Sequence, residues 1–416
     1  MRKYLNLNIE LTINSLLQKL ENEKFMLLQE DEENFVLSWG TTRGFEVKSK
    51  TELRELDRFI RENHGLYLFG YLSYELKNLF ETGLHSKNRD HHNFPLAHFF
   101  VPDHVLFCKA GSFTYFGEKE QDEVEQFLNL PERMEELAHT SVTLVAETSK
   151  ENYLKNVQAL KEEIQFGNIY EINYCVNFRA DETEHISGRQ LYQKLFQRSE
   201  APFSVFYNHP NHQIISASPE RFIRKENQRL ISQPIKGTAK RGTSEEEDEQ
   251  IAVDLQKDPK ERSENIMITD LVRNDLSKVA SKNSVQVEGL CELKSFKTVH
   301  QLVSTISCQL KEQVQFTDIL SATFPMGSMT GAPKISAMEH SEKFETFRRG
   351  IYSGSVGYIE PNGNFDFNVI IRSFLRNRED GTLTAAVGGA ITIESDPEKE
   401  YEECLLKLNA LQEVLS

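Results

Sequence analysis

The chain has 416 residues, 38% hydrophobic and 27% charged, which suffices for one large domain or two smaller ones and excludes wholesale disorder. A formal net charge of −16 argues against a general nucleic-acid-binding role, because a polyanion would be repelled. The 5 cysteines are odd in number, widely spaced and free of any CxxC pair, which predicts reduced thiols in a cytoplasmic protein, with neither a disulfide framework nor a zinc site.

The first twenty residues are broken by Asn, Glu and Lys, so no secretory leader is predicted, and no apolar run reaches the length of a membrane span. Residues 1–140 predict mixed β and α structure without sharp chemistry. Segments 25–28 and 34–39 predict paired strands across an acidic turn at 29–33. The aromatic-rich stretch 66–74, with Gly65 and Gly70, predicts another strand. Residues 97–107 form an apolar run interrupted by Pro102 and Asp103. Residues 120–130 predict a helix that Pro131 breaks, with a second short helix from Pro131 to Leu137 and a boundary near 138–146.

Thr148 and Glu151 then have capping-box spacing, Tyr153, Val157, Leu160 and Ile164 recur on one helical face, and Gly167 is placed to end the helix. Residues 169–178 predict a strand, and 204–207, 214–217 and 221–223 a meander toward Lys236. Around that lysine the chain reads Gln233-Pro234-Ile235-Lys236-Gly237-Thr238-Ala239-Lys240-Arg241-Gly242. Pro234 limits ladder pairing, so a strand ending or an edge strand is predicted, opening into a Gly-bounded loop that a ligand can approach. Lys240 and Arg241 on that loop would lower the pKa of Lys236 and favour its amine as a nucleophile. Taken alone, such a lysine is more often part of a solvated basic loop. The acid run 245–249 predicts a solvated turn or helix start and carries no function.

Two helix starts carry paired acids. Asp258-Pro259-Lys260-Glu261 supplies an N-cap, Pro at N1 and Glu at N3, with Glu264 one turn on and on the same side. Ser395-Asp396-Pro397 opens another helix, where Glu400, Glu403 and Lys407 border an apolar stripe of Tyr401, Cys404, Leu405, Leu408 and Leu411. Acids in a first turn ordinarily complement the helix dipole. Four carboxylates on two converging helix ends would also suit Mg²⁺, and spacing alone does not decide convergence. The Gly-rich stretch 324–334 predicts a loop opening a helix; its spacing is not that of a Walker A loop, though its backbone could meet an anion. Residues 351–358 predict a strand close to another backbone, 366–372 a strand ending in Arg372 as a carboxylate fork, and 385–393 a strand with an approachable Gly388-Gly389-Ala390 backbone.

Together these stretches resemble the chorismate-utilising family, which includes anthranilate synthase large subunits, aminodeoxychorismate synthase component I, and isochorismate and salicylate synthases. The matches are Ser218-Pro219-Glu220-Arg221-Phe222, Pro234-Ile235-Lys236-Gly237-Thr238, the acid-bearing helix start with Asn265, Asp270-Leu271-Val272-Arg273-Asn274-Asp275, the 327–334 loop, Tyr352, Ile371-Arg372, Gly388-Gly389-Ala390 and Glu400-Tyr401-Glu402-Glu403. They run in family order over about 150–412, whereas residues 1–140 resemble the family only loosely. The resemblance implies an α+β fold of two large, mostly antiparallel sheets packed face to face with helices outside. It divides the chain into an N-terminal region, 1–140, and a chorismate-binding catalytic domain, 148–414.

Within the family, anthranilate synthases carry Ala at the position of Lys236 and aminodeoxychorismate synthases carry Lys, so this chain looks like the second kind. The implied reaction is Mg²⁺-dependent amination of chorismate to 4-amino-4-deoxychorismate, toward p-aminobenzoate and folate. The resemblance makes Lys236 the nucleophile and Glu220 the general acid. It places Mg²⁺ on Glu261, Glu264, Glu400 and Glu403. The substrate would lie against Gly237, Thr238, His300, Tyr352, Arg372, Gly388, Gly389, Ala390 and Lys407. No glutaminase elbow is present, so ammonia is expected from a separate glutamine amidotransferase subunit or from free ammonium. The alternatives are an anthranilate synthase component I, which Lys236 argues against, and a chorismate-binding subunit without turnover, which the intact acids argue against.

Two positions depart from the family pattern. Glu171 stands where ammonia-using members commonly have Gln and water-using members have Lys. Asn265 stands where a His is usual. The N-terminal region also lacks a Leu-Leu-Glu-Ser pattern, reading Met26-Leu27-Leu28-Gln29-Glu30, so feedback inhibition by tryptophan is not predicted.

Overall fold

The computed structural model describes residues 2–9, 11–129 and 141–416; the predicted short helix from Pro131 to Leu137, and the first part of the predicted boundary, lie outside the described residues. Two antiparallel sheets organise the chain. The first, of 12 strands, runs in the order Lys3–Leu7, Ser112–Gly117, His104–Lys109, Phe35–Trp39, Phe25–Gln29, Phe203–Asn208, His212–Ser218, Ser373–Asn377, Leu383–Ile391, Glu171–Ala180 and Gly331–Ala332, with Val145–Ala146 paired beside Glu171–Ala180. The second, of 10 strands, runs Ile235–Lys240, Val299–Gln309, Arg229–Gln233, Arg221–Glu226, Phe365–Asn368, Ser355–Ile359, Leu68–Leu72, Ala97–Val101 and Arg43–Val47, with Gln286–Ser295 also on Val299–Gln309.

The strands alternate their side chains between two cores, as the pleat requires. Phe25 and Leu27 point into a core shared with the helices, while Met26 points into the core between the sheets. Phe35 and Leu37 repeat the first direction and Val36 the second. The first sheet is therefore buried on both faces at Phe25–Gln29 and Phe35–Trp39, which explains why those two strands are nearly continuous apolar runs. The intersheet core joins Val205 and Ile214 of one sheet to Phe69, Ile223 and Ile306 of the other. Strands from both parts of the chain pair directly: Phe25–Gln29 with Phe203–Asn208, and Leu68–Leu72 with Ser355–Ile359.

Local differences from the expectations have simple causes. The helix Lys150–Gln165 is capped by Ser149, which accepts from the Asn152 N–H. Thr148 instead meets the Thr346 hydroxyl at 2.9 Å. The predicted meander splits between the sheets, because His212–Ser218 belongs to the first and Arg221–Glu226 to the second, with Glu220 at the crossing. Among the described residues no helix is long and apolar enough to cross a membrane.

Candidate active site

Lys236 lies in an edge strand, Ile235–Lys240, one of the two predicted arrangements, and the stretch expected as a Gly-bounded loop continues that strand as far as Lys240. The register against Val299–Gln309 shifts between Ile235 and Thr238, so Lys236 and Gly237 form a bulge. Bulges re-aim side chains, and this one needs glycine twice over. Gly237 has φ +95°. A Cβ there would also come to 3.1 Å from Leu302 and 3.2 Å from Glu261 Oε2. The buried Asn265 amide steadies the bulge by donating to the carbonyls of Lys236 and Leu302, each at 3.0 Å.

The bulge carries the Lys236 amine across to the first sheet, where Nζ lies 3.0 Å from Glu171 Oε1, with side-chain exposures of 12% and 1%. The expected lowering of its pKa by Lys240 and Arg241 does not occur. Arg241 is held by Asp248, at 2.8 Å from Nε, and by the Phe296 carbonyl, while Lys240 is exposed. Burial by itself would lower the Lys236 pKa, but the carboxylates of Glu171, Glu264 and Glu220 outweigh it and hold the pKa above that of an ordinary lysine. Lys236 therefore rests as an ammonium, the opposite of the expectation.

Glu220 sits where the chain passes from one sheet to the other. Its N–H donates to Ser218 Oγ at 3.2 Å, its carbonyl accepts from Val369, and its Oε1 accepts from Ser328 Oγ at 2.6 Å. Burial pushes its pKa up to about 7, against the opposing pull of Ser328, the Ile235 N–H, Lys236 and Arg372. A carboxyl so placed is held partly as the acid near neutral pH, where it can both carry a proton and give it up.

The two acid-bearing helices form as their caps predict. Asp258 accepts from the N–H groups of Lys260 and Glu261, and Asp396 from those of Glu398 and Lys399. Their first turns meet in one cleft, with Lys260 Nζ 3.9 Å from both Glu264 Oε1 and Glu400 Oε1. Glu261 reaches Gly237 on one wall, and Glu400 and Glu403 approach Gly389 on the other. Burial raises the pKa of Glu264 to about 7 and raises those of Glu261 and Glu400. Burial pushes Glu403 the same way, but Lys407, at 2.7 Å, outweighs it and leaves that pKa lowered. Among the described residues no three His, Cys, Asp or Glu side chains are drawn together tightly enough to form a metal cluster. The donor set itself, four carboxylates on two helix ends, is the all-oxygen chemistry that suits Mg²⁺.

The remaining candidates divide. Arg372 does not end a strand as expected; it lies between Phe365–Asn368 and Ser373–Asn377 with φ +50°. Its guanidinium faces Glu220, and burial lowers its pKa. Tyr352 is buried in the turn before Ser355–Ile359, with its hydroxyl 4.0 Å from Cys175 Sγ. Cys175 registers with Gly388, so Tyr352 stands beside the Gly388-Gly389-Ala390 backbone. Lys407 donates to the Gly388 carbonyl at 2.8 Å. A Cβ on Gly388 would lie 2.6 Å from the Tyr174 carbonyl, so glycine is required there. Thr238 is exposed at the edge and accepts from Gln301 Nε2 at 3.2 Å.

His300 is not brought to the amine. It is buried, with its ring nitrogens 2.8 Å from Ser295 Oγ and 2.9 Å from Asp248 Oδ1, and it fastens its strand to the helix Glu245–Lys257. Four residues of the cleft had no assigned place in it: Glu171, Asn265, Lys260 and Ser328. Glu171 and Asn265 were marked only as departures from a pattern. Ser328 lay within a Gly-rich stretch that gave no hint of contact with Glu220.

The family model of a chorismate binding enzyme matches residues 18–413. The chain belongs to the family of chorismate binding enzymes. A probable aminodeoxychorismate synthase of Oryza sativa, described as chloroplastic, is 41% identical over 274 residues, covering 65% of this chain and 30% of that protein. Aminodeoxychorismate synthase component 1 of Escherichia coli is 40% identical over 263 residues, covering 63% of this chain and 57% of that protein. The chain thus spans well under two thirds of the length of either relative. Anthranilate synthase component I from Streptococcus pneumoniae shares the fold of this chorismate binding enzyme, with a TM-score of 0.80 at 24% identity over 94% of this chain and 92% of that one.

Proposed function

We propose that the chain is the chorismate-aminating component of an aminodeoxychorismate synthase, a Mg²⁺-dependent aminating transferase. It converts chorismate and ammonia to 4-amino-4-deoxychorismate, the precursor of p-aminobenzoate. Relatives of that name support the reading, and one observation carries it: a buried lysine amine faces Glu220 and two acid-bearing helices in a single cleft. Chorismate is a dianion with a poor leaving group, its C4 hydroxyl. The cleft offers an amine, a protonated carboxyl and an Arg fork to meet those needs.

In this account Lys236, as a free amine, attacks C2. The ring double bonds shift, the C4–O bond breaks, and the oxygen leaves as water with the proton of Glu220. Ammonia then bonds to C4, the double bonds return, and the Nζ–C2 electron pair goes back to Lys236. Arg372 holds a substrate carboxylate, Tyr352 and the Gly388-Gly389-Ala390 backbone form the floor, and Lys407 braces that floor. Glu264 and Glu403 would hold Mg²⁺ directly and Glu261 and Glu400 directly or through water; when bound, the ion neutralises the ring carboxylate. Ammonia comes from a glutamine amidotransferase subunit or from free ammonium, and the reaction takes place in the cytoplasm.

Product analysis tests this. Chain incubated with chorismate, Mg²⁺ and ammonium should give 4-amino-4-deoxychorismate, separable from anthranilate by chromatography and mass. Anthranilate as the main product, or no turnover, would contradict it.

A further inference from the structure

Glu171 opens the strand Glu171–Ala180 in the first sheet, while Lys236 lies on the edge of the second. No shared turn or helix forces these two side chains together, yet Oε1 and Nζ meet at 3.0 Å. Buried carboxylates that serve the architecture here are tied by several donors. Glu345 takes Arg349 Nε at 2.9 Å and Nη2 at 2.6 Å together with the Cys175 N–H at 3.0 Å. Asp275 takes both Lys278 and Lys334. Glu171 has Lys236 on one oxygen, and its buried Oε2 has no hydrogen-bond partner among the described residues. A carboxylate saturated by donors is a weak base, whereas one held by a single ammonium keeps its capacity to accept a proton.

We propose that Glu171 is the base that deprotonates Lys236 and so converts its resting ammonium into the nucleophile. The inference rests on the proposed amination chemistry. Other acids facing the lysine are Glu220, Glu261, Glu264 and Glu403. Glu220, whose pKa burial raises to about 7, is assigned as the proton donor, and the other three belong to the acid-bearing helices. Glu171 alone lies within direct proton-transfer reach of Nζ among the described residues.

The proton moves from Nζ to Glu171 Oε1, and the freed lone pair forms the Nζ–C2 bond. The C4–O bond breaks and its oxygen leaves as water with the Glu220 proton. When ammonia bonds at C4, the Nζ–C2 pair returns to nitrogen and Glu171 gives its proton back to Lys236. Glu220 is reprotonated from solvent. Gln at this position, the commoner residue of ammonia-using relatives by resemblance, could hold the lysine but could not take its proton.

The test is the rate of covalent adduct formation on Lys236, measured by quenched-flow mass spectrometry with chorismate and Mg²⁺ and without ammonia. E171Q should slow the adduct by about 100-fold or more, with the gap to wild type narrowing as pH rises from about 6.5 to about 8.5, because Glu220 imposes the same decline on both while solvent takes over removal of the lysine proton. E171A, should the isostere fold poorly, should be slow and be restored by added formate. An E171Q rate within twofold of wild type at every pH, or an E171A chain that formate does not accelerate, would overturn the role of Glu171. Wild-type chain that forms no adduct would remove the parent proposal and this one with it. Wild-type chain that forms adduct beside an equally fast E171Q removes only the base.

Discussion

Asn265 Nδ2 donates to the Lys236 carbonyl at 3.0 Å, and through it the first acid-bearing helix fixes the bulge that aims the Lys236 amine at Glu171. The same amide holds Leu302 on the neighbouring strand, and its oxygen lies near Ser304 and Thr269. Asn265→Ala removes the amide donor that these two carbonyls share. Chemical denaturation should show a loss of about 2–4 kcal/mol. Adduct formation should fall more than that stability loss explains, because the bulge no longer holds Lys236 toward Glu171.

Glu220 has a pKa raised to about 7, and as the proposed general acid it should set the alkaline side of the reaction. A general acid must be protonated to act, so adduct formation should decline as pH rises through about 7. Glu220→Gln should slow it by about 100-fold to 10,000-fold without displacing substrate. The same group bears on stability. Its folded pKa lies above that of the unfolded chain, so the native state binds the extra proton between roughly pH 4.5 and 7, and its contribution is lost as pH rises through that window. Glu220→Gln should flatten that part of the stability curve, read by urea unfolding at several pH values.

Arg372 adopts φ +50°, a conformation that costs a non-glycine residue, and spends it on turning a guanidinium toward Glu220. Arg372→Ala should raise the Kd for chorismate by about 10-fold to 100-fold, measured by equilibrium binding with Mg²⁺. Arg372→Lys should recover little, because a point charge cannot replace a planar fork.

The acid-bearing helices make a separate prediction. Lys260 of the first helix places one ammonium 3.9 Å from Glu264 on its own helix and 3.9 Å from Glu400 on the other. Mg²⁺ should raise the melting temperature of the chain. Glu264→Gln and Glu403→Gln should each abolish that rise, whereas His300→Gln, at a residue bonded to Ser295 and Asp248, should retain it.

Much of this cleft was legible because its parts carry local signals. Asp258 and Asp396 announce helix starts through their own side-chain caps, and their acids follow at fixed spacing. Gly237 and Gly388 mark close backbone approaches in their own right. What stayed hidden was pairing between distant segments. The Lys236–Glu171 contact spans two sheets, so the neighbours Lys240 and Arg241 suggested a lowered pKa, whereas the distant carboxylates set the opposite shift. His300 shows the same limit: its ring is bonded to Asp248, from a run read as merely solvated, and that pairing of distant segments carries no local signal. The turn at Arg372 was invisible because the apolar residues Val369-Ile370-Ile371 before it and Phe374-Leu375 after it read as one strand, with no Gly or Pro between them.

The central claim is that Lys236 becomes covalently joined to the substrate ring. Intact-protein and peptide mass spectrometry of the chain with chorismate and Mg²⁺, ammonia withheld, tests it most directly. The account predicts a mass gain equal to chorismate minus water, mapped to Lys236, absent in Lys236→Ala and discharged by added ammonium. An unmodified Lys236 in wild type, together with undiminished amination by Lys236→Ala, would contradict it.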